Sequence, residues 1–211
     1  AVWEDAIDQG FAYGSGMGTN HHYGYQIRKI YTTAWLMRKA ILKSSRRDDI
    51  LKTLLFWSAL QETRLPCAEI RDEMLDSWNT LLQPKLIAAM MIPDECGRVQ
   101  ALRGLSRWVS GSVNCTPGTI GGIKVDGTTF HHGGFYPAYT TGALATVSDY
   151  IAMTGGTEFV PSLEARRLLA GAFTAMRNYS NLTEWSTGLG GRHPFLSLIH
   201  ISEPTRLQLI S

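Results

Sequence analysis

Apolar residues recur three and four positions apart through most of this chain, which is the spacing that lets an α-helix bury one side. Patterns that alternate apolar and polar residues, as strands do, are almost absent, although residues 110–137 leave room for one or two short strands. The sequence therefore predicts an all-α fold of successive helix pairs. The six predicted helices cover residues 23–41, 50–60, 70–91, 99–109, 138–153 and 161–176.

Proline and glycine mark several of the expected helix boundaries. Pro137 suits the first position of the fifth helix, and the pair Gly155-Gly156 suits its end. Pro84 falls inside the third helix, where it removes one backbone hydrogen bond, so a bend is expected there.

Composition limits the classes of function. The 211 residues carry 44% hydrophobic side chains and a net charge of +2, which is sufficient for one domain with a sizeable core. No run of Lys and Arg resembles a nucleic-acid patch, and no apolar run is long enough to span a membrane, so neither partner is expected. No secretory signal opens the chain, but a chain that begins at Ala1 leaves the compartment undecided.

The cysteines predict neither a zinc site nor a disulfide framework. Cys67, Cys96 and Cys115 are scattered and form no Cys-x-x-Cys pair, and an odd number cannot pair completely. They are interpreted as ordinary core or loop residues.

Three polar connections, at 18–26, 126–139 and 185–194, are rich in His, Tyr, Asn and Arg. The middle one reads DGTTFHHGGFYPAY. His132 and Tyr139 would align on a continuous helix, but the glycines at 133 and 134 prevent one. The loop must therefore fold back to bring these two side chains together, and long loops on a helical scaffold often carry the functional site.

A tyrosine, a histidine and an arginine on converging loops suit the removal of a proton next to a carboxylate. A free tyrosine has a pKa of about 10, so it needs a nearby positive charge to act as a base. Arg192 would supply that charge permanently. The same tyrosine, once protonated, can return the proton to a leaving oxygen. This chemistry is β-elimination, and it needs no metal or organic cofactor.

Three motifs, GTNHHYGYQIRKIY, DGTTFHHGGFYPAYT and GLGGRHPF, occur in this order across about residues 18–195. Together they resemble the helical catalytic domain of polysaccharide lyase family 8, and within it the chondroitin sulfate ABC lyases. The resemblance implies a partial (α/α) toroid of antiparallel helix pairs whose long loops line a cleft. It also implies eliminative cleavage of uronic-acid-containing glycosaminoglycans, of the chondroitin or dermatan sulfate type, by a secreted or periplasmic monomer.

The resemblance also assigns catalytic roles. Tyr139 matches the general base and acid, His132 matches the catalytic histidine beside it, and Arg192 matches the arginine that holds the tyrosine and the substrate. The seven-residue spacing from His132 to Tyr139 fits the ABC-type branch. A later glutamate and an earlier histidine of the family site would lie outside this chain, so the chain alone is expected to be inactive.

Further residues are predicted to bind substrate. Asn20, His21 and His22 match a cleft wall, and Asn79 lies near the position of a carboxylate-neutralising asparagine. Trp185, on a loop, can stack on a sugar face.

Two positions depart from the family pattern. His131 stands where ABC-type relatives carry arginine, and Gly133 where they carry glutamate. His131 is still expected to contact the substrate. These departures bear on the preferred sulfation pattern or uronate epimer.

Two alternatives stay open. The departures are also compatible with a helical glycosaminoglycan- or carbohydrate-binding domain that has kept the cleft and lost the chemistry. Alternatively, His21 and His22 with His131 and His132 are the ligands of a metal-dependent hydrolase, although no spacing enforces such a site.

Two segments are expected. Residues 1–197 are interpreted as a portion of the toroidal catalytic domain. Residues 198–211 resemble a translated sequencing adapter and are interpreted as a non-native tail without a role in the fold.

Overall fold

The computed structural model describes residues 24–65, 67, 74–180 and 187–189. Within these ranges the chain forms seven α-helices, one small antiparallel sheet and two short 3₁₀ segments at Leu60–Arg64 and Thr187–Leu189. The mainly helical prediction is confirmed, whereas the toroid stays a prediction. The helices are α1 Gly24–Leu36, α2 Arg38–Ile41, α3 Arg47–Trp57, α4 Met74–Met90, α5 Glu95–Ser112, α6 Pro137–Thr154 and α7 Leu163–Asn178, and the strands are β1 Gly122–Ile123, β2 Thr129–His131 and β3 Gly134–Phe135.

Differences from the predicted helix boundaries have local causes. The first predicted helix is interrupted at Met37, whose ψ of 6° lies outside the helical range and separates α1 from α2. The second begins at Arg47 instead of residue 50, because Asp48 and Asp49 favour the first turn of a helix. It ends before Ala59, which adopts a left-handed φ of 52°.

A proline and a serine mark the starts of two helices. Pro137 is the first residue of α6, as predicted, whereas α4 continues through Pro84, where the expected bend stays a prediction. The Ser162 hydroxyl caps α7 by accepting a hydrogen bond from the Ala165 amide at 3.2 Å.

Among the described residues, one compact unit comprises 24–65 and 80–105. Within its described part, Lys85 is fully buried, and its Nζ donates to the Glu62 carboxylate at 3.0 Å and to the Ser58 carbonyl at 3.2 Å. Burial lowers the pKa of Lys85, and the Glu62 charge opposes that shift. The apolar core around this pair includes Tyr31, Ala34, Ile41, Ile50, Leu51, Leu54, Leu60, Ile87, Ala88, Ala89 and Met91.

Among the described residues, the second compact unit comprises 67, 74–79, 106–180 and 187–189. Trp78 of α4 is buried, and its indole N–H donates to the Ser112 hydroxyl at 2.9 Å. The Ser106 hydroxyl donates to the Val160 carbonyl at 3.1 Å, which fixes the connection that precedes α7. Buried apolar side chains of this unit include Leu75, Trp108, Val109, Ile123, Leu144, Val147, Tyr150, Leu169, Phe173 and Met176.

The sheet belongs to the second unit and has the order β1-β2-β3. Its register pairs Ile123 with Thr129, and His131 with Gly134. His132 and Gly133 form the turn between β2 and β3, with φ of 52° and 76°. Positive φ at both central residues is what a tight two-residue hairpin requires. The sequence allowed for one or two strands here, and the structure has three.

Gly127, in the connection between β1 and β2, packs against α7. Its φ is +80°, and an added Cβ would lie 2.9 Å from the Gly171 carbonyl oxygen and 3.0 Å from the Ala175 Cβ.

We therefore expect Gly127→Ala to lower the free energy of unfolding by about 1–3 kcal/mol, from backbone strain plus steric overlap. Denaturant unfolding of the full-length protein measures this loss. Gly118→Ala is the matched control, because Gly118 also has positive φ but open space around it. An equal loss of unfolding free energy in both variants would mean that the packing of Gly127 against α7 does not contribute to stability.

The three cysteines are free: Cys67 is half-buried, and Cys96 and Cys115 are exposed. Cys96 lies in α5, so the prediction of a core or loop position is wrong for this residue. Burial raises the pKa of the Cys67 thiol to about 11. Among the described helices, none is both long and apolar enough to cross a membrane. The segment 198–211 lies outside the described residues.

Candidate active site

The hairpin of β2 and β3 leads directly into α6 and brings His132 close to Tyr139. The centroids of their rings are 5.6 Å apart, and the ring planes meet at 79°. The chain reversal at His132 and Gly133 brings the two rings together in place of the continuous helix that the glycines prevent. The expected proximity is thus observed, and the catalytic roles stay predictions.

Tyr139 lies in the first turn of α6, the third residue after the helix begins at Pro137. The exposed N–H groups and the helix dipole make this end partly positive, which favours a developing negative charge on a nearby oxygen. Its side chain is half-buried, so one part packs while another remains accessible.

Buried hydroxyl groups fix β2 to the start of α6. Thr129 and Thr140 are hydrogen-bonded through their side chains, and both are buried. Thr140 also donates to the Tyr136 carbonyl at 3.2 Å, and the Tyr136 amide donates to the Thr129 carbonyl at 3.1 Å. The strand that ends in His131 is therefore held against the turn that carries Tyr139.

Four rings form a cluster at this junction. The His131 ring lies 3.9 Å from that of His132 and 4.6 Å from that of Tyr139. The Tyr136 ring packs edge-on against Tyr139 at 4.9 Å. His132 is exposed on the turn, whereas His131 is fully buried.

Helix α4 contributes two polar side chains, three residues apart and therefore on one side of the helix. Asp76 is buried, and its Oδ2 lies 3.4 Å from Nε2 of His131. The Asn79 amide lies against Gly142 of α6, since a Cβ added at 142 would be 2.8 Å from Asn79 Oδ1. Gly142 follows Tyr139 by about one helical turn, so Asn79 is next to the tyrosine-bearing end of α6.

Sequence reasoning missed Asp76. The available signal was a carboxylate within MLDSWNTLL, a segment whose surrounding residues are largely apolar. A helix that is buried on most sides places any such polar residue inside the protein, where it needs a partner.

The other predicted site residues lie outside the described residues, namely Asn20, His21, His22, Trp185 and Arg192. Among the residues that the structure does describe, no group of three or more His, Cys, Asp or Glu side chains is arranged to hold a metal ion. Because His21 and His22 are not among them, the metal alternative stays untested.

Residues 1–204 match the protein family described as "Lyase, catalytic". The chain belongs to this family of lyase catalytic domains. The resemblance inferred from the three motifs is thereby confirmed. The His132–Tyr139 junction is therefore the candidate active site of a lyase domain.

Three curated relatives are similar to this lyase domain. It is 34% identical over 194 residues to the chondroitin sulfate ABC exolyase of Bacteroides thetaiotaomicron, covering 92% of this chain and 19% of the relative. It is 31% identical over 188 residues to the chondroitin sulfate ABC exolyase of Proteus vulgaris (89% and 19%). It is also 31% identical over 193 residues to the chondroitin sulfate ABC endolyase of Proteus vulgaris (90% and 19%). The lyase domain thus spans about a fifth of the length of these relatives.

Proposed function

We propose that the full-length protein containing this domain is a polysaccharide lyase that cleaves chondroitin- or dermatan-sulfate-type glycosaminoglycans by β-elimination. The observation that carries the proposal is the Tyr139 phenol in the first turn of α6, 5.6 Å between ring centroids from His132, in a chain of the lyase catalytic family. The names of the relatives support the class of substrate.

In the proposed reaction, the phenolate of Tyr139 removes the proton from the carbon next to the uronate carboxylate. The electron pair forms a carbon–carbon double bond, the glycosidic C–O bond breaks, and Tyr139 returns the proton to the leaving oxygen. The reaction adds no water. His132 contacts the same substrate region and assists the transfer. The first turn of α6 favours the negative charge that the tyrosine oxygen carries before it takes the proton and after it returns it.

Neutralisation of the substrate carboxylate is the second requirement, because negative charge accumulates beside it during proton removal. The half-buried Asn79 amide, beside the α6 turn that follows Tyr139, is suited to donate a hydrogen bond to that carboxylate. Arg192 is proposed to supply a permanent positive charge. A polymeric substrate that does not enter cells supports a secreted or periplasmic location.

The product distinguishes elimination from hydrolysis. The full-length protein is incubated with chondroitin sulfate and with dermatan sulfate, and ultraviolet absorbance of an unsaturated uronate is followed beside the formation of reducing ends. Elimination gives both signals in equal amounts. Reducing ends without absorbance would contradict the proposal and favour a hydrolase, which a chelator would then inhibit if it used a metal.

A glycosaminoglycan-binding domain without catalysis is the second candidate. The departures at His131 and Gly133 motivate it, because a chain that has exchanged such residues can keep the cleft and bind the polymer without cleaving it. Calorimetric binding of chondroitin sulfate by the full-length protein, with no product after prolonged incubation, would support this candidate over the lyase.

Gly142→Ala tests the position of Asn79. The new methyl group would overlap the Asn79 amide, which is the end of a side chain and can move with little loss of stability. We expect kcat/KM to fall about tenfold, because small displacements at a site have effects of this order or larger.

The matched control for that variant is Gly171→Ala. Gly171 is also helical but has open space around it, so activity should be unchanged and stability should rise by about 0.5–1 kcal/mol. If Gly142→Ala keeps the wild-type kcat/KM, Asn79 does not have the proposed role in substrate binding.

A further inference from the structure

The Asp76 carboxylate is almost completely buried, with 2% of its surface exposed, in the first turn of α4. A carboxylate in such surroundings is strongly unfavourable unless a polar or charged group faces it. The His131 imidazole does so, with Nε2 3.4 Å from Asp76 Oδ2. The pair therefore joins α4 to the end of β2.

His131 lies between Asp76 and the two predicted reactive rings. With 0% of its surface exposed, it cannot touch a polymer unless the hairpin moves. Its ring centroid is 3.9 Å from that of His132 and 4.6 Å from that of Tyr139. A displacement or rotation of this imidazole would therefore be transmitted to both rings.

His132 depends on such support because it is carried on an exposed hairpin turn. Its ring contact with His131, at 3.9 Å, is shorter than those with Tyr139, at 5.6 Å, and Tyr136, at 6.3 Å. Of these three rings, that of His131 is therefore the one nearest to His132.

We propose that Asp76 is a positioning residue for the elimination reaction. It holds the His131 imidazole, and His131 in turn sets the separation and tilt of His132 and Tyr139. This inference rests on the proposed function. It gives His131 a supporting role in place of the predicted contact with substrate.

The first test is Asp76→Asn in the full-length protein. Asparagine keeps the shape and removes the charge, so the His131 imidazole loses its anionic partner. We expect kcat on chondroitin sulfate to fall about 10- to 100-fold, which corresponds to a misplacement of 1 Å or less, while KM changes less than about twofold. Ser77→Ala is the matched control, because Ser77 is a buried polar neighbour in the same helix turn, and it should keep wild-type kcat.

A double-mutant cycle separates positioning from general stability. His131→Gln is combined with Asp76→Asn, and kcat is measured for both single variants and the double variant. If Asp76 acts through His131, the carboxylate change has no further effect on kcat once the imidazole is absent. If the loss of kcat in the double variant equals the product of the losses in the two single variants, the proposal is overturned. A wild-type kcat in Asp76→Asn would overturn it as well.

If Asp76→Asn does not yield folded protein, the His131→Gln variant alone tests the proposal. A kcat within twofold of wild type in this variant overturns the proposal, and a loss of at least tenfold with unchanged KM supports it. Failure of the proposed lyase function has a different result, because the wild-type protein itself would then form no unsaturated product from chondroitin or dermatan sulfate.

Discussion

Tyr139→Phe is expected to lower kcat of the full-length protein on chondroitin sulfate by at least about 1,000-fold, because it removes the group proposed to act first as base and then as acid. The substitution deletes one oxygen and keeps the ring. The contacts of Tyr139 with His131, His132 and Tyr136 are contacts between rings and should persist. The folded state should therefore be preserved, and substrate binding should change little.

Initial rates of ultraviolet absorbance measure this effect, and binding of intact polymer to Tyr139→Phe measures the affinity. Tyr179→Phe is the matched control. Tyr179 also carries a phenol in the same compact unit, where it packs on Phe135 at 5.0 Å between ring centroids, and it is outside the proposed chemistry. Activity above a tenth of wild type in Tyr139→Phe would exclude Tyr139 as the base.

His132 is the second position at which a large loss is expected. Replacement by Asn should lower kcat by about 100- to 10,000-fold, the range for removal of a group that assists proton transfer. Asparagine is chosen because His132 has a φ of 52°, and Asn tolerates this left-handed conformation better than most residues. The variant thus removes the imidazole while the hairpin turn is retained.

His132→Gly and His132→Ala complete this series. Glycine also fits the turn, so its kcat should match that of the Asn variant at similar thermal stability. Alanine should add backbone strain, seen as a lower melting temperature of the full-length protein. If His132→Asn and His132→Gly both keep more than a tenth of wild-type kcat, the imidazole has no role in proton transfer.

The helices could be predicted because the residue pattern that specifies each helix lies within one segment of the sequence. The pattern that predicted residues 138–153 lies within one segment, and α6 extends only one residue further at each end. Pro137 and the glycines at 155 and 156 supplied its boundaries. The break at Met37 was not predictable, since the apolar spacing continues through it and only the backbone angles separate α1 from α2.

The sheet was harder to predict because its strands have only two or three residues. Such short segments show no clear alternation, and the register depends on a tight turn in which His132 takes a conformation more common for glycine. The polar content of residues 126–139 indicated a candidate site in this loop, but it did not predict the hairpin that brings His132 close to Tyr139.

The site contacts that the sequence did not predict join segments that are distant in the chain. Asp76 faces His131 across 55 positions of sequence, and no spacing rule connects them. Asn79 was predicted only through the family resemblance, and the structure now gives it a neighbour, Gly142. Arg192, Trp185 and the 20–22 segment lie outside the described residues, so their parts in the site stay predictions.

The buried pair Thr129–Thr140 links two groups that are only 11 positions apart. One continuous stretch, from β1 to the end of α6, therefore carries both the imidazole and the phenol together with the bond that holds them in place. Such a stretch can be exchanged as a unit between related domains while the two rings stay side by side. The departures at His131 and Gly133 lie within this same stretch, so an exchange would carry them along with the two rings.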